Sequence, residues 1–145
     1  MQHKAEVGSI SSGTMRTEDL IRSFADELEY LAKGEEHPGN RETYESIVIE
    51  ANALRSFEDE DASGVLESLF DALNEFAPAY CYFGAHDGDG ADYGFWPVMD
   101  AIEELPRVSD PSEVRISDHD WLFVNDHGNI TVYSGETCKP VLELV

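Results

Sequence analysis

The chain has 145 residues, 41% of them hydrophobic, with 9 Lys+Arg against 31 Asp+Glu and a formal net charge of −22. Such length and apolar content suffice for one buried core and exclude an acidic disordered tail. The charge excludes direct binding to nucleic acid or an anionic membrane, because both need Lys and Arg to neutralise phosphate.

The first stretch, residues 1–16, is polar, rich in small residues and without periodicity, and reads as a flexible arm. Residues 17–145 read as a single α+β domain, with a helical part at 17–77 and a sheet part at 78–145. The first helix is expected from Thr17 to Lys33. Leu20, Ile21, Phe24, Leu28 and Leu31 recur at helical spacing there, Thr17 can cap and Gly34 can end it. The loop "GEEHPGN" follows. A second helix is expected after Asn40, with Tyr44, Ile47, Val48, Ala51 and Leu54 on one face and the run "EDED", Glu58 to Asp61, at its end. A third is expected from near Ser63 to just before Pro78, with Leu66, Leu69, Phe70, Leu73 and Phe76 inward.

Beyond Pro78 the pattern changes to alternation and turn signals. "AYCYFG" and "DYGFWP" read as strands joined by a long tip, residues 86–92. "PVMDAIEELP" reads as a short helix opened by Pro97 and closed by Pro106. "SEVRI" is a candidate strand. "DWLFVN" and "ITVYSG" read as a hairpin across "DHGN", whose Gly tolerates positive φ. "KPVLELV" closes the chain as an edge strand, since Pro140 cannot donate to a ladder. The expected fold is thus a three-helix layer packed on a C-terminal antiparallel sheet of four to five strands.

No basic segment leads into an apolar one, and no apolar run is long enough for a membrane helix, so a cytoplasmic protein is expected. Cys81 and Cys138 do not form C-x-x-C and are read as reduced, partly buried thiols, with a single bridge between them as the alternative.

The acids are spread along the chain. Residues 1–77 hold 18 acids and 6 bases, net −12, and residues 78–145 hold 13 and 3, net −10. The acidity therefore belongs to the folded body. Such a surface attracts basic surfaces and speeds encounter with them. Low lysine with high acid also suits a high-salt cytoplasm, which is the competing explanation.

Within this background several residue groups are candidates for function. Asp87, Asp89 and Asp92 are hard oxygen ligands a few residues apart. An EF-hand pattern started at Asp87 puts Ala91 at position 5, Asp92 at 6 and Val98 at 12, and fails at all three. His86, His119 and His127 each adjoin an Asp, but no paired-cysteine or H-E-x-x-H spacing supports a metal. His86, Asp87, Asp89 and Asp92 remain the candidate ligands, and His86, Asp87, Asp89 and His127 the candidate set for a metal-assisted enzyme. No catalytic motif is present, and no cofactor is expected. The aromatics Tyr80, Tyr82, Phe83, Tyr93, Phe95 and Trp96 lie in a stretch, 78–106, without Lys or Arg, so core packing and protein contact outrank base stacking. Acids dominate the second and third helices. Glu42, Glu45 and Glu50 precede Glu58, Asp59, Glu60 and Asp61, and Glu67, Asp71 and Glu75 follow at spacings of four along one helical face. The competing explanation is an ordinary solvated face.

At "EFAPAYCYFGAHDGDGADYGFWP" and "LFVNDHGNITVY", within a similarity spanning about residues 17–135, the chain resembles a group of small acidic proteins encoded by bacteriophages and other mobile elements. The resemblance carries over no catalytic residues. It implies a cytoplasmic accessory protein acting in a host cell, a context that includes anti-restriction and anti-CRISPR inhibitors. The expected function is therefore non-enzymatic. An acidic, DNA-mimic-like surface would bind a basic, nucleic-acid-binding host protein through Glu58, Asp59, Glu60, Asp61, Glu67, Asp71, Glu75, His86, Asp87, Asp89 and Asp92. Homodimerisation is left open. The alternatives are a metal-dependent enzyme or ion-binding protein using the 86–92 loop, and an acidic structural or interaction domain.

Overall fold

A computed structural model describes residues 4–144. It is α+β, with helices α1 (Thr17–Lys33), α2 (Pro38–Asn52), α3 (Glu60–Glu75) and α4 (Met99–Glu103), and strands β1 (Gly8–Ser11), β2 (Cys81–His86), β3 (Asp89–Pro97), β4 (Trp121–Val124), β5 (Ile130–Tyr133) and β6 (Pro140–Leu144). The strands form two antiparallel three-stranded sheets, ordered β1-β3-β2 and β4-β5-β6, in place of the expected single C-terminal sheet. The chain also divides into two compact units where one was expected. The first comprises the chain up to Ala77 together with Tyr82–Trp96, the second Pro78–Cys81 with Pro97–Val145.

In the first unit, α1 has its expected bounds and inward face. Leu20, Ile21, Phe24, Leu28 and Leu31 are all buried. Its cap differs from expectation. Arg16 takes the N-cap position without a side-chain bond, and Thr14 supplies the local polar contacts, its Oγ1 accepting from the Arg16 N–H and donating to Asp19. Helix α2 starts earlier than expected because His37 caps it and Pro38 sits in the first turn, where a missing N–H does no harm. The preceding turn is tied by Arg41, whose Nε donates to the Glu35 main-chain oxygen at 3.0 Å. The Glu35 side chain is buried, and its Oε1 accepts from the His37 N–H at 3.0 Å.

The "EDED" run does not end the second helix. Asp59 caps α3, its Oδ1 accepting from the Ala62 N–H at 3.1 Å, and Glu60 and Asp61 occupy the first turn. Carboxylates are favoured there by the helix dipole and by the unpaired N–H groups, so the helix begins three residues before Ser63. Val65, Leu69, Leu73 and Phe76 are buried, and Leu66 and Phe70 pack at the border of the same core.

The flexible-arm reading of residues 1–16 is corrected for the part described. Gly8–Ser11 form β1, which pairs antiparallel with β3 through Gly8↔Phe95, Ser9↔Gly94 and Ser11↔Tyr93. Ala5 is buried, and its N–H donates to the Phe76 oxygen at 2.8 Å. Residues 1–3 lie outside the described residues. This segment was missed because four residues paired across more than 80 positions leave no local periodicity. The sheet closes over the helices through Phe83 and Phe95, both buried.

The second unit is smaller. Ile102, Leu122, Val132 and Leu142 form its core, with Tyr80, Cys81, Met99 and Leu105 against it. The β4–β5 hairpin follows expectation: Gly128 has φ 81°, and the Asn125 Oδ1 accepts from the N–H groups of His127 and Asn129 at 2.9 Å each. Strand β6 lies at the sheet edge, as Pro140 requires. "SEVRI" is not a strand. Pro111–Glu113 form a single 3₁₀ turn capped by Asp110, and the chain then runs on so that Arg115 stacks 4.3 Å from the centre of the Trp121 ring. Trp121 Nε1 also donates to the Arg115 carbonyl, at 2.9 Å. Both cysteines are free and partly buried, and burial pushes the Cys81 thiol up to about 11.

Asp120 organises this unit. Its Oδ2 accepts from the Tyr80 hydroxyl at 2.5 Å and its Oδ1 from the Gly135 N–H at 2.9 Å. Burial, then this hydrogen bond, then the charge of Asp120 push the Tyr80 phenol up to about 12. The folded value lies above the ordinary one, so the bond's contribution is complete below about pH 10 and is lost as pH rises through about 12. In alkaline unfolding titrations Tyr80→Phe is expected to lose about 1 kcal/mol at neutral pH and to flatten the fall above pH 10. An unchanged alkaline profile would show that the bond is not held in solution.

Candidate acidic interface

The acids expected to bind a partner separate into three groups. The first is a cleft of about 450 Å³ between the end of α2 and the start of α3, lined by Glu50, Ala53, Leu54, Glu60, Asp61, Gly64 and Val65. Its lining sets Ala53, Leu54 and Val65 beside three carboxylates. Glu60 and Asp61 are fixed there because Asp59 starts the helix immediately before them. Glu50 stands in the last turn of α2, where a cation would be favoured, and that turn carries no basic residue. The α2 carbonyl ends add partial negative charge to the same place. Gly64 has open space where a Cβ would be, so the α3 side of the cleft is unobstructed. In the sequence Glu50 is only one of several helix-two acids. Its place in the cleft depends on how α2 and α3 pack, which periodicity does not report.

The second group continues down α3. At 100° per residue, Glu60, Glu67, Asp71 and Glu75 fall within about 80° of the helix circumference. All four are exposed. Glu75 already has a role within the fold, because its Oε2 accepts from the Tyr44 hydroxyl at 2.6 Å. Burial, then that bond, raise the Tyr44 phenol well above its ordinary value. Asp59 is likewise occupied as the cap, and Glu58 is exposed just before it. Glu60, Asp61, Glu67 and Asp71 thus form the open part of the ridge.

The third group is the hairpin tip, and here the long-loop reading is corrected. The strands run to His86 and from Asp89, leaving a connection of two residues, Asp87 and Gly88. His86 Nδ1 accepts from the Gly88 N–H at 2.9 Å, and Asp89 Oδ1 accepts from the Ala91 N–H at 3.0 Å. His86 also meets the edge of Trp96, with ring centroids 4.8 Å apart. Asp92 is drawn inward, accepting from Ser9 Oγ at 2.5 Å across β1 and β3. The aspartates therefore serve the turn and the sheet. Among the described residues no three His, Cys, Asp or Glu side chains converge to hold a metal ion. His86 and His127, paired in the enzyme alternative, belong to different units.

The aromatic stretch is divided between core and surface. Phe83 and Phe95 are buried, and Phe24, Phe70, Phe83 and Tyr93 make edge-on contacts with one another in the first core.

Among the described residues, Lys and Arg pair with only one of the acids: Arg16 and Arg22 both meet Glu18, at 3.6 and 2.9 Å. The α2–α3 ridge is thus paired with none of the described Lys or Arg side chains. Among the described residues no helix is long and apolar enough to cross a membrane. Comparison with protein-family models, with curated proteins and with solved structures finds no match to this chain.

Proposed function

We propose that this chain is a non-enzymatic binding protein whose α2–α3 face competes with nucleic acid for a basic, nucleic-acid-binding partner. The context implied by the resemblance is a phage or mobile-element accessory protein that inhibits such a partner in the host cytoplasm. The observation that carries the reading is the cleft of Glu50, Glu60 and Asp61, continued by Glu67 and Asp71, with no Lys or Arg paired to it among the described residues. Like charges at helical spacings of four repel one another, and a basic partner relieves that repulsion. The apolar residues Ala53, Leu54 and Val65 beside the carboxylates suit the stem of a lysine or arginine, whose head then lies among the acids.

Pull-down from a bacterial lysate is expected to enrich nucleic-acid-binding proteins at low salt. Recovery should fall steeply as salt is raised, and added duplex DNA should displace them. Replacing Glu60, Asp61, Glu67 and Asp71 by their amides should reduce recovery at least tenfold while leaving the helical signal intact. Recovery of no nucleic-acid-binding protein, or recovery indifferent to salt and to these substitutions, would overturn the reading.

A further inference from the structure

A second cleft, of about 350 Å³, runs between β1 and α1 and shares no lining residue with the first; it is lined by residues 4–10 and by Glu27, Tyr30 and Leu31. The sheet order β1-β3-β2 makes β1 an edge strand, paired with β3 on one side only. An open edge presents unpaired N–H and C=O groups that another extended chain can match. Val7, Ile10 and Leu31 give the cleft its apolar part, and Tyr30 stands 61% exposed at its rim.

Its charge is one-sided. Glu6 and Glu27 both face the cleft, while the one Lys or Arg among its described lining residues, Lys4, is engaged elsewhere, donating from Nζ to the Glu75 carbonyl at 3.1 Å. We propose that this cleft takes an extended, lysine- or arginine-bearing peptide segment of a partner protein, added as a further strand along β1. Backbone pairing supplies affinity in such strand addition, and the side chains that alternate toward the cleft supply specificity. Here the selected side chain is basic, because it enters between Glu6 and Glu27. Burial first, and then the charge of Glu6, hold the Glu27 carboxyl above its ordinary range, and a cation at that place offsets both. The pairing is short, since the ladder is irregular between Ser9 and Ser11. The proposal does not depend on the α2–α3 ridge.

The test uses the full chain and a fluorescein-labelled heptapeptide, Thr-Val-Lys-Val-Arg-Val-Thr, with a second peptide carrying Glu at both basic positions. Polarisation should show saturable binding of the basic peptide only. Amide shifts should be confined to residues 5–11 and 27–31. Glu6→Gln and Glu27→Gln should each weaken binding at least fivefold, and Glu60→Gln with Asp61→Asn should change it less than twofold. Glu27→Gln is expected to fold, because it removes a charge that burial disfavours. Equal binding of both peptides, shifts centred elsewhere, or indifference to Glu6→Gln and Glu27→Gln would overturn the proposal. So would absence of binding at millimolar peptide, or a dimer in light scattering that protects the β1 edge amides, which would make a second copy the occupant. Loss of binding only in the Glu60 and Asp61 variant would instead assign the peptide to the ridge.

Discussion

Phe24→Ala is expected to remove about 3–5 kcal/mol of stability, the largest effect of any single truncation in the first unit. Phe24 is 0% exposed and stands between α1, α3 and the first sheet, with ring centroids 6.1 Å from Phe70, 5.0 Å from Phe83 and 5.6 Å from Tyr93. Removing the ring loses its transfer energy and three edge-on aromatic contacts, and leaves a cavity that rigid neighbours cannot collapse to fill. Domains of this size have only about 5–15 kcal/mol in total. Urea unfolding followed by helical ellipticity is the suitable measurement, because α1, α2 and α3 all lie in this unit. The midpoint should fall with little change in slope. Phe24→Leu should recover at least half of the loss. A loss below about 1 kcal/mol would mean that the ring is not enclosed as described.

Gly94→Ala is expected to be nearly as damaging, through the backbone. A Cβ at Gly94 would lie 2.1 Å from the Gly8 oxygen and 2.8 Å from the Ser9 Cα. These are main-chain atoms of β1, so no side chain can swing away to make room. Either β1 leaves β3 or the sheet distorts, at about 2–3 kcal/mol. The Ser9–Asp92 hydrogen bond should be lost with it. Amide exchange in residues 8–11 should accelerate sharply, and peptide binding along β1 should disappear. Gly90→Ala is the matched control in the same strand, because nothing lies within 4 Å of its Cβ position. If both variants behave alike, the close approach of β1 to β3 is not present in solution.

The two substitutions also separate what is local from what is not. Phe24 was legible in the sequence, since it belongs to the stripe of Leu20, Ile21, Phe24, Leu28 and Leu31, and a 3.6-residue period needs no partner to be seen. Gly94 was not. It is one of four glycines between positions 84 and 94, and only the path of Gly8 across it shows why a side chain is barred there. The tip showed the same limit. The stretch 86–92, rich in Gly and Asp, reads as a long loop, because those residues are poor strand formers. Pairing between β2 and β3 nonetheless carries Asp89, Gly90 and Ala91 into a strand, leaving Asp87 and Gly88 to turn the chain.

The candidate site divides in the same way. The sequence by itself determined that the surface is acidic, that the acids of the third helix share a face, and that the chain is α+β with apolar stripes on its helices. These are properties of composition and of neighbours a few residues apart. Only the tertiary structure decided which acids are free. It assigned Asp59 to a helix cap, Glu75 to the Tyr44 hydroxyl and Asp92 to Ser9, and left Glu60, Asp61, Glu67 and Asp71 open. It also brought Glu50 to Glu60, and Glu6 to Glu27, across 10 and 21 positions of chain respectively. Such pairs form where elements pack, and packing depends on contacts between residues distant in the chain, for which no local pattern exists.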